Sequence, residues 1–322
     1  MFISKRVFIM EMEIKKINIE QKNQWTGSFR PETFDEFIGQ DPIKKVLTTA
    51  IESAKKRQGS LWHILFAWQS GFGKTTMANI IAKQMQVWVK IVTAYAINKP
   101  SEIVSILNSL EPHDILFIDE IHRLKPTVEE VLYIAMEDFV IDMVMPEWWN
   151  IRIPINPFTL IGATTKPEKL SQPMKNRFIY QFHFMDYTFE EKKIIIERYL
   201  KQYELGFDKV LLEKIAKNVD SVPREIHNLG IKLRDFCISK NSKNLTDELR
   251  EQFLHDTQIK EGGLTPLHQQ YLDILAHYDR PLGVKTIAAQ MGVNEKSLEE
   301  DVEPLLLKLG KIEKTPQGRV LL

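Results

Sequence analysis

The stretch from Ala67 to Thr76, Ala-Trp-Gln-Ser-Gly-Phe-Gly-Lys-Thr-Thr, constrains this chain more than any other. It follows the short apolar run His63-Ile64-Leu65-Phe66 and opens onto Met77-Ala78-Asn79-Ile80-Ile81-Ala82, a helical pattern. The order is strand, glycine-bearing loop, helix. In such a loop backbone N–H groups curl around phosphates, a lysine reaches the β- and γ-phosphates, and a hydroxyl ligates Mg²⁺. The helix N-terminus adds its partial positive charge. Gly71 and Gly73 precede Lys74, Thr75 and Thr76 in the right order. One position departs from the pattern G-x-x-x-x-G-K-[ST]: Trp68 stands where the first glycine belongs. Glycine there permits a tight turn and close backbone approach. The expectation is an indole turned away from the phosphates or a distorted loop, with nucleotide binding weakened by strain of about 1–3 kcal/mol.

A phosphate loop that hydrolyses needs carboxylates beside it. Asp114-Ile115-Leu116-Phe117-Ile118-Asp119-Glu120-Ile121-His122 reads as a buried strand ending in two of them. Asp119 would hold Mg²⁺ and Glu120 would orient and polarise the attacking water. Phosphoryl transfer requires positioning and charge neutralisation more than covalent chemistry. His122 is read as a local hydrogen-bonding residue without a chemical role. Phe158 to Thr165 is another buried strand, ending in hydroxyls, and Thr164 is placed at the γ-phosphate or the attacking water. Arg177 falls in a loop before the strand Tyr180 to Phe184, from which its guanidinium could reach a neighbouring subunit's γ-phosphate; as an isolated arginine, its default is a surface ion pair.

The rest of the chain organises around this α/β unit. Ile43, Val46, Leu47, Ala50, Ile51 and Ala54 form one helical stripe before the loop. Val87 to Val92 reads as a strand, and Pro100 to Leu110 and Val128 to Phe139 as helices. Val140 to Met145 and Ile151 to Ile155 alternate as a β-hairpin, with Trp148 and Trp149 at a tip suited to a protein partner. From Asp186 the texture becomes helical, opening with the capping box Thr188-Phe189-Glu190-Glu191. Pro223-Arg224 starts one of these helices, so Arg224 could point back at phosphates. The last sixty or so residues, on a sequence-pattern reading, run helix, helix, helix (Asn294 to Leu309) and a short strand pair about Pro316-Gln317-Gly318, the order of a winged helix. Lys308, Lys311, Lys314 and Arg319 against the single acid Glu313 make a local basic patch from Pro304 onward, and Gly318 would let the turn approach a duplex closely.

Composition sets limits. A chain of 322 residues suits two or three domains. Lys plus Arg and Asp plus Glu both number 43, so overall charge does not advertise a nucleic-acid ligand and local clusters must carry one. The single Cys237 excludes an internal disulfide, suits a reducing compartment and reads as a small core residue. Phe8-Ile9-Met10 is too short for a signal peptide or a membrane span, and no other run is long enough. A cytoplasmic protein is expected.

Several motifs converge on one family. Gly71-Phe72-Gly73-Lys74-Thr75-Thr76, Phe117 to Leu124, Glu129 to Tyr133, Ala135-Met136-Glu137-Asp138-Phe139 and Phe158 to Thr165 together resemble the RuvB family, AAA+ motors of Holliday-junction branch migration. The resemblance runs from about Phe29 to Leu322. It implies an AAA+ P-loop ATPase, a parallel sheet flanked by helices, with a small helical lid and a C-terminal winged helix. The implied divisions are an extension over 1–26, an ATPase domain over 27–185 carrying the hairpin 140–155, a lid over 186–262 and a winged helix over 263–322. The family implies ATP and Mg²⁺, a homo-hexamer around the duplex DNA of Holliday junctions, and RuvA and RuvC as partners, with RuvA at the hairpin.

Position by position, the resemblance puts Phe29 and Arg30 at the adenine, Gly71, Lys74, Thr75 and Thr76 on phosphates and Mg²⁺, and Glu137, Asp138, Phe139 and Tyr187 on the nucleotide side. Arg177 matches a trans arginine finger and Arg224 a second sensor in cis. Lys314 and Arg319 match DNA contacts of the wing. Trp68, Gln69-Ser70, Trp62, Lys175 and Ile179 depart from the family pattern, and the hairpin is shorter. Clamp-loader and initiator ATPases share the two nucleotide motifs but not Ala135 to Phe139 or the Thr315-Pro316-x-Gly318-Arg319 ending. Two alternatives stay open: a clamp-loader-like ATPase, and a nucleotide-binding subunit that hydrolyses poorly because of Trp68.

Overall fold

A computed structural model describes residues 30–144, 150–278 and 280–322. They form two compact units, Arg30–Tyr187 and Thr188–Leu322. In the first, five parallel strands stand in the order β2-β3-β6-β1-β7: Val89–Thr93, Ile115–Asp119, Thr159–Thr164, Ile64–Ala67 and Tyr180–His183. The central strands read as unbroken apolar runs because helices cover both faces of such a sheet. All of Ile64–Ala67 and Thr159–Thr164 is buried. Register brings the strand ends level: Ala67 pairs with Thr164, and Ile118 with Gly162. The loop after β1 and the carboxylates after β3 therefore lie at the same edge, two strand spacings or about 10 Å apart. That is where ligands bind in open parallel sheets.

Helices follow the expected pattern with local differences. Helix α1, Asp41–Lys56, buries Ile43, Leu47, Ala50, Ile51 and Ala54, while Val46 turns outward at 43% exposure. Helix α2, Lys74–Met85, starts directly at the loop, and α3 is Pro100–Asn108. Helix α4, Pro126–Asp138, leads into the antiparallel pair β4, Val140–Val144, and β5, Asn150–Pro154. The expected Trp148–Trp149 tip lies outside the described residues. His63 is a core histidine: Leu160 N–H donates to its Nδ1 at 2.8 Å and its Nε2 meets the Met136 carbonyl at 3.0 Å. Burial pushes its pKa down, so it is a neutral structural link between β1, β6 and α4.

In the first unit α5, Gln172–Arg177, leads into β7, and the second unit begins at Thr188. Its helices are α6, Phe189–Gln202, α7, Lys209–Lys217, α8, Pro223–Ser239, and α9, Asp247–Thr257. Thr188 and Glu191 form the expected capping box. Cys237 is buried, as its apolar setting implied. Helices α10, Pro266–Ala276, and α11, Val284–Met291, pack with the segment after them around Tyr271, Leu275, Ile287, Leu298 and Leu306. The single helix expected over Asn294 to Leu309 is instead a short α12, Glu295–Ser297, a π-helical turn over Leu298–Val302 and α13, Glu303–Lys308. Pro304 is the reason, since its ring displaces the carbonyl four residues back and it has no N–H to donate. Strands β8, Ile312–Thr315, and β9, Gly318–Leu321, complete the wing. Among the described residues no helix is long and apolar enough to cross a membrane.

Candidate active site

The phosphate loop is built on two left-handed glycines, Gly71 (φ 89) and Gly73 (φ 91). A Cβ at Gly73 would also come within 3.0 Å of the Phe37 ring, so the segment after Arg30 lies against the loop. Lys74 is buried, and its Nζ donates to the carbonyls of Trp68 at 2.6 Å and Gln69 at 2.7 Å, inside the curve of the loop. Thr75 and Thr76 occupy the first turn of α2. Tyr187 is brought to the site: its ring lies 6.0 Å from that of Phe72, a loop residue. Arg30 is exposed, at the start of the described residues, and Phe29 lies outside them.

Trp68 does not strain the backbone. It is not among the left-handed residues, and its N–H extends the sheet by donating to the Thr164 carbonyl at 3.1 Å. Its indole stands edge-on to Phe72 at 6.2 Å, with Nε1 buried and lacking a hydrogen-bond partner. The expected strain penalty is therefore corrected. Trp68→Gly would remove packing without relieving a strained φ, so no tightening of ATP binding should follow. Trp68→Phe keeps a ring edge-on and deletes the orphan donor. It should raise stability by about 1 kcal/mol, since an unmatched buried N–H costs roughly that much or more. Urea unfolding of both proteins decides the point, and equal midpoints would mean that Nε1 carries no such penalty.

Opposite the loop, Glu120 has a left-handed backbone, φ 51, and its N–H donates to Asp119 Oδ1 at 3.0 Å. Glu120 Oε2 accepts from the Thr165 hydroxyl at 3.0 Å and the Thr165 N–H at 3.4 Å. His122 Nδ1 lies 3.1 Å from the same oxygen and 2.9 Å from Thr164 Oγ1. Sequence reasoning singled out Thr164 and left Thr165 and His122 without roles. The signal was the pair of hydroxyls at the end of β6 and the histidine two residues past Glu120. Among the described residues no group of three or more His, Cys, Asp or Glu forms a metal cage. The Thr75 hydroxyl and Asp119 carboxylate are nonetheless the hard oxygen donors that suit Mg²⁺, which takes its other ligands from phosphates and water.

Arg177, Glu137, Asp138 and Phe139 stand away from the phosphate loop. Arg177 is the last residue of α5, not a loop residue. Its guanidinium lies over the Tyr133 ring at 4.6 Å, donates to Pro173 O at 2.9 Å and Tyr133 O at 3.3 Å, and pairs with Glu137 at 3.1 Å. It precedes β7, so it sits at the opposite edge of the sheet from the loop, a strand length or roughly 13 Å away. Glu137, Asp138 and Phe139 share that edge: Asp138 pairs with Arg152, and the Phe139 ring packs on Phe158 just before β6. Within one chain they do not join the phosphate loop. Arg224 is in the first turn of α8, in the second unit.

The wing corrects the expected basic edge. Arg319 Nε donates to Glu303 Oε1 at 2.9 Å and its Nη2 to Glu299 at 2.9 Å, while Lys314 Nζ meets Glu303 Oε2 at 2.5 Å. The Glu303 side chain is wholly buried and also accepts from Tyr271 OH at 2.8 Å. Burial alone would raise its pKa; hydrogen bonds from Arg319, Lys314 and Tyr271 outweigh this and hold it below the usual carboxylate range. Lys308 pairs with Asp220 at 2.9 Å. The acids lie upstream on the helix, beyond the stretch whose charge was counted. Gly318 serves an internal contact too, because a Cβ there would meet the Leu282 carbonyl oxygen at 2.5 Å.

Comparison with known proteins decides the family. The profile described as "Holliday junction DNA helicase RuvB P-loop domain" matches residues 29–184, and the one described as "RuvB C-terminal winged helix domain" matches 261–321. The chain belongs to the RuvB family. A RuvB subunit of the Holliday junction branch migration complex from Campylobacter fetus is 41% identical over 313 residues, covering 96% of this chain and 91% of that protein. The Helicobacter pylori J99 relative is 40% identical over 316 residues, covering 96% and 94%. A solved Thermotoga maritima RuvB, described as a Holliday junction branch migration motor, is 36% identical with a TM-score of 0.80, over 91% of this chain and 95% of that one. The fold is thus a RuvB P-loop domain with a C-terminal winged helix, and the loop at Gly71–Thr76 falls within the residues matched to the P-loop domain.

Proposed function

We propose that this chain is the ATP-driven motor of a Holliday junction branch migration complex, hydrolysing Mg²⁺-ATP and moving duplex DNA in recombination and repair. The observation that carries the chemistry is the convergence of Lys74, Thr75, Asp119 and Glu120 at one edge of the sheet. Lys74 and the loop N–H groups bind phosphates, Thr75 and Asp119 hold the metal, and Glu120 orients the attacking water. Mg²⁺, when bound, neutralises phosphate charge. Thr165, with Thr164 beside it, supplies hydroxyls at the γ-phosphate end. The proposed divisions, 27–185, 186–262 and 263–322, assign Arg224 to a lid that senses nucleotide.

Arg177, Glu137, Asp138 and Phe139 lie at the far edge and so serve a nucleotide held by a neighbouring copy. This supports a closed ring, which we take to be a homo-hexamer working in the cytoplasm with RuvA, docked at the hairpin 140–155, and RuvC. DNA contact by Lys314 and Arg319 would use charges already paired with Glu303 and Glu299. Neither alternative gains support: Trp68 leaves the loop backbone unstrained, and the relatives named are branch-migration subunits.

The test is ATP-dependent migration of a four-way junction in the presence of RuvA. Arg177→Ala and Lys74→Ala proteins should each fail. Mixed, they should regain part of the activity, because a Lys74→Ala subunit can offer its arginine to an intact neighbouring site. Lack of rescue would place Arg177 in a purely structural role, and lack of migration by the unaltered chain would remove the motor assignment.

A further inference from the structure

Four polar groups meet where β3 and β6 end, and one of them has no part in the chemistry assigned so far. The His122 ring is nearly enclosed, with 4% of its side chain exposed. Its Nδ1 stands 3.1 Å from Glu120 Oε2 and 2.9 Å from Thr164 Oγ1. The hydrogen bond of this nitrogen runs to Thr164 Oγ1, and Glu120 Oε2 lies within ion-pair distance of it; because a carboxylate only accepts, that neighbour favours the proton on Nδ1. Thr164 Oγ1 already accepts from the Lys166 N–H at 3.0 Å. Thr165 donates to the same Glu120 oxygen through its hydroxyl at 3.0 Å. One carboxylate oxygen is therefore held by Thr165, just past the end of β6, and faced by His122 on the short helical turn after β3, Ile121–Arg123, while Thr164 bonds to the His122 ring.

We infer that His122 is a positioning residue for hydrolysis: its Nδ1–H, anchored on Thr164 Oγ1 and set beside Glu120 Oε2, joins the Thr165 hydroxyl in keeping that oxygen at the end of β6 and leaves Oε1 to engage the attacking water. This rests on Glu120 being the water-orienting group. A carboxylate on a flexible side chain loses rate when its direction is not fixed, and a misplacement of about 1 Å can cost on the order of a hundredfold. Strand β6 lies between β1, which bears the loop, and β3, which bears the carboxylates, so a shift of the β6 end on phosphate binding would reorient Glu120 through its contacts with Thr165 and His122.

Three variants test it on the full chain. His122→Ala should lower kcat by roughly 10- to 100-fold while ATP affinity and KM stay within about twofold, because the group acts through Glu120 and not on the nucleotide. His122→Asn puts an amide N–H near the position of Nδ1 and should recover most of the rate. His122→Leu fills space without a donor and should remain as slow as His122→Ala. Parental kcat in His122→Ala, or equal losses in the Asn and Leu proteins, overturns the inference. Thermal melts of all three separate loss of folding from loss of rate, and the Asn–Leu comparison holds even where His122→Ala is unstable. Glu120→Gln, run alongside, keeps the two claims apart: full turnover there would overturn the role of Glu120 itself, whereas lost turnover there with a fast His122→Leu would overturn only the positioning role.

Discussion

Glu120→Gln should bind ATP as the parent does and lose turnover by a factor of about 10²–10⁴, the range supplied by a positioned general base. The substitution is nearly isosteric. A glutamine oxygen can still accept from Thr165, so the β6 end and the phosphate loop keep their geometry. What disappears is the negative charge that polarises the water. Lys74 and the loop amides, to which we assign phosphate binding, lie on the other side of the site. Binding and chemistry should therefore separate: titration with nucleotide unchanged, phosphate release nearly abolished. Lys74→Ala should show the reverse order of loss, with binding failing first. Turnover at the parental rate in the Glu120→Gln protein would remove Glu120 from the mechanism.

The second large effect is structural and lies in the wing. Arg319→Ala should destabilise the second unit by about 3–5 kcal/mol, the cost of breaking a buried ion pair by removing one partner. Glu303 is fully buried and would keep only Lys314 and Tyr271. Arg319→Lys should fall between the two, because lysine restores the charge but not the fork that reaches Glu299 and Glu303 together. The pH dependence follows from the depressed Glu303 pKa. A carboxylate held lower in the folded than in the unfolded state stabilises above its ordinary value, 4.5, and this contribution is lost as pH falls through the folded pKa. The parent should lose that increment in acid, and the Arg319→Ala protein should show a flatter profile there. Urea unfolding at several pH values measures both. Identical stability and acid response in parent and variant would mean that Glu303 finds full compensation elsewhere. The same pairing bears on DNA binding. Free cations displace about one counterion each on meeting phosphate, but Arg319 is already neutralised by two acids, so its removal should change the salt slope by well under one unit at temperatures where the variant is folded.

What the sequence alone determined was everything written into short spans. The glycines and lysine of the loop, the apolar run closed by Asp119 and Glu120, the capping box at Thr188 and the helix–helix–strand order of the wing are local patterns, because backbone conformation and burial follow from neighbours within a turn or a strand. Tertiary structure decided which charges are already taken and which edge each group faces. The edge occupied by Arg177 depends on the strand order β2-β3-β6-β1-β7 and on the direction of β7. The hydrogen bond between His122 and Thr164 joins residues 42 apart in the chain, and that between Arg319 and Glu303 residues 16 apart. A count of lysines and arginines along a strand cannot register acids that a preceding helix presents to it. A tryptophan in place of a glycine likewise reads as strain until the fold shows that its φ is ordinary and that the burden falls on the indole N–H. Electrostatic partnership and unmet hydrogen bonds are properties of distance in space, and chain order alone does not contain them.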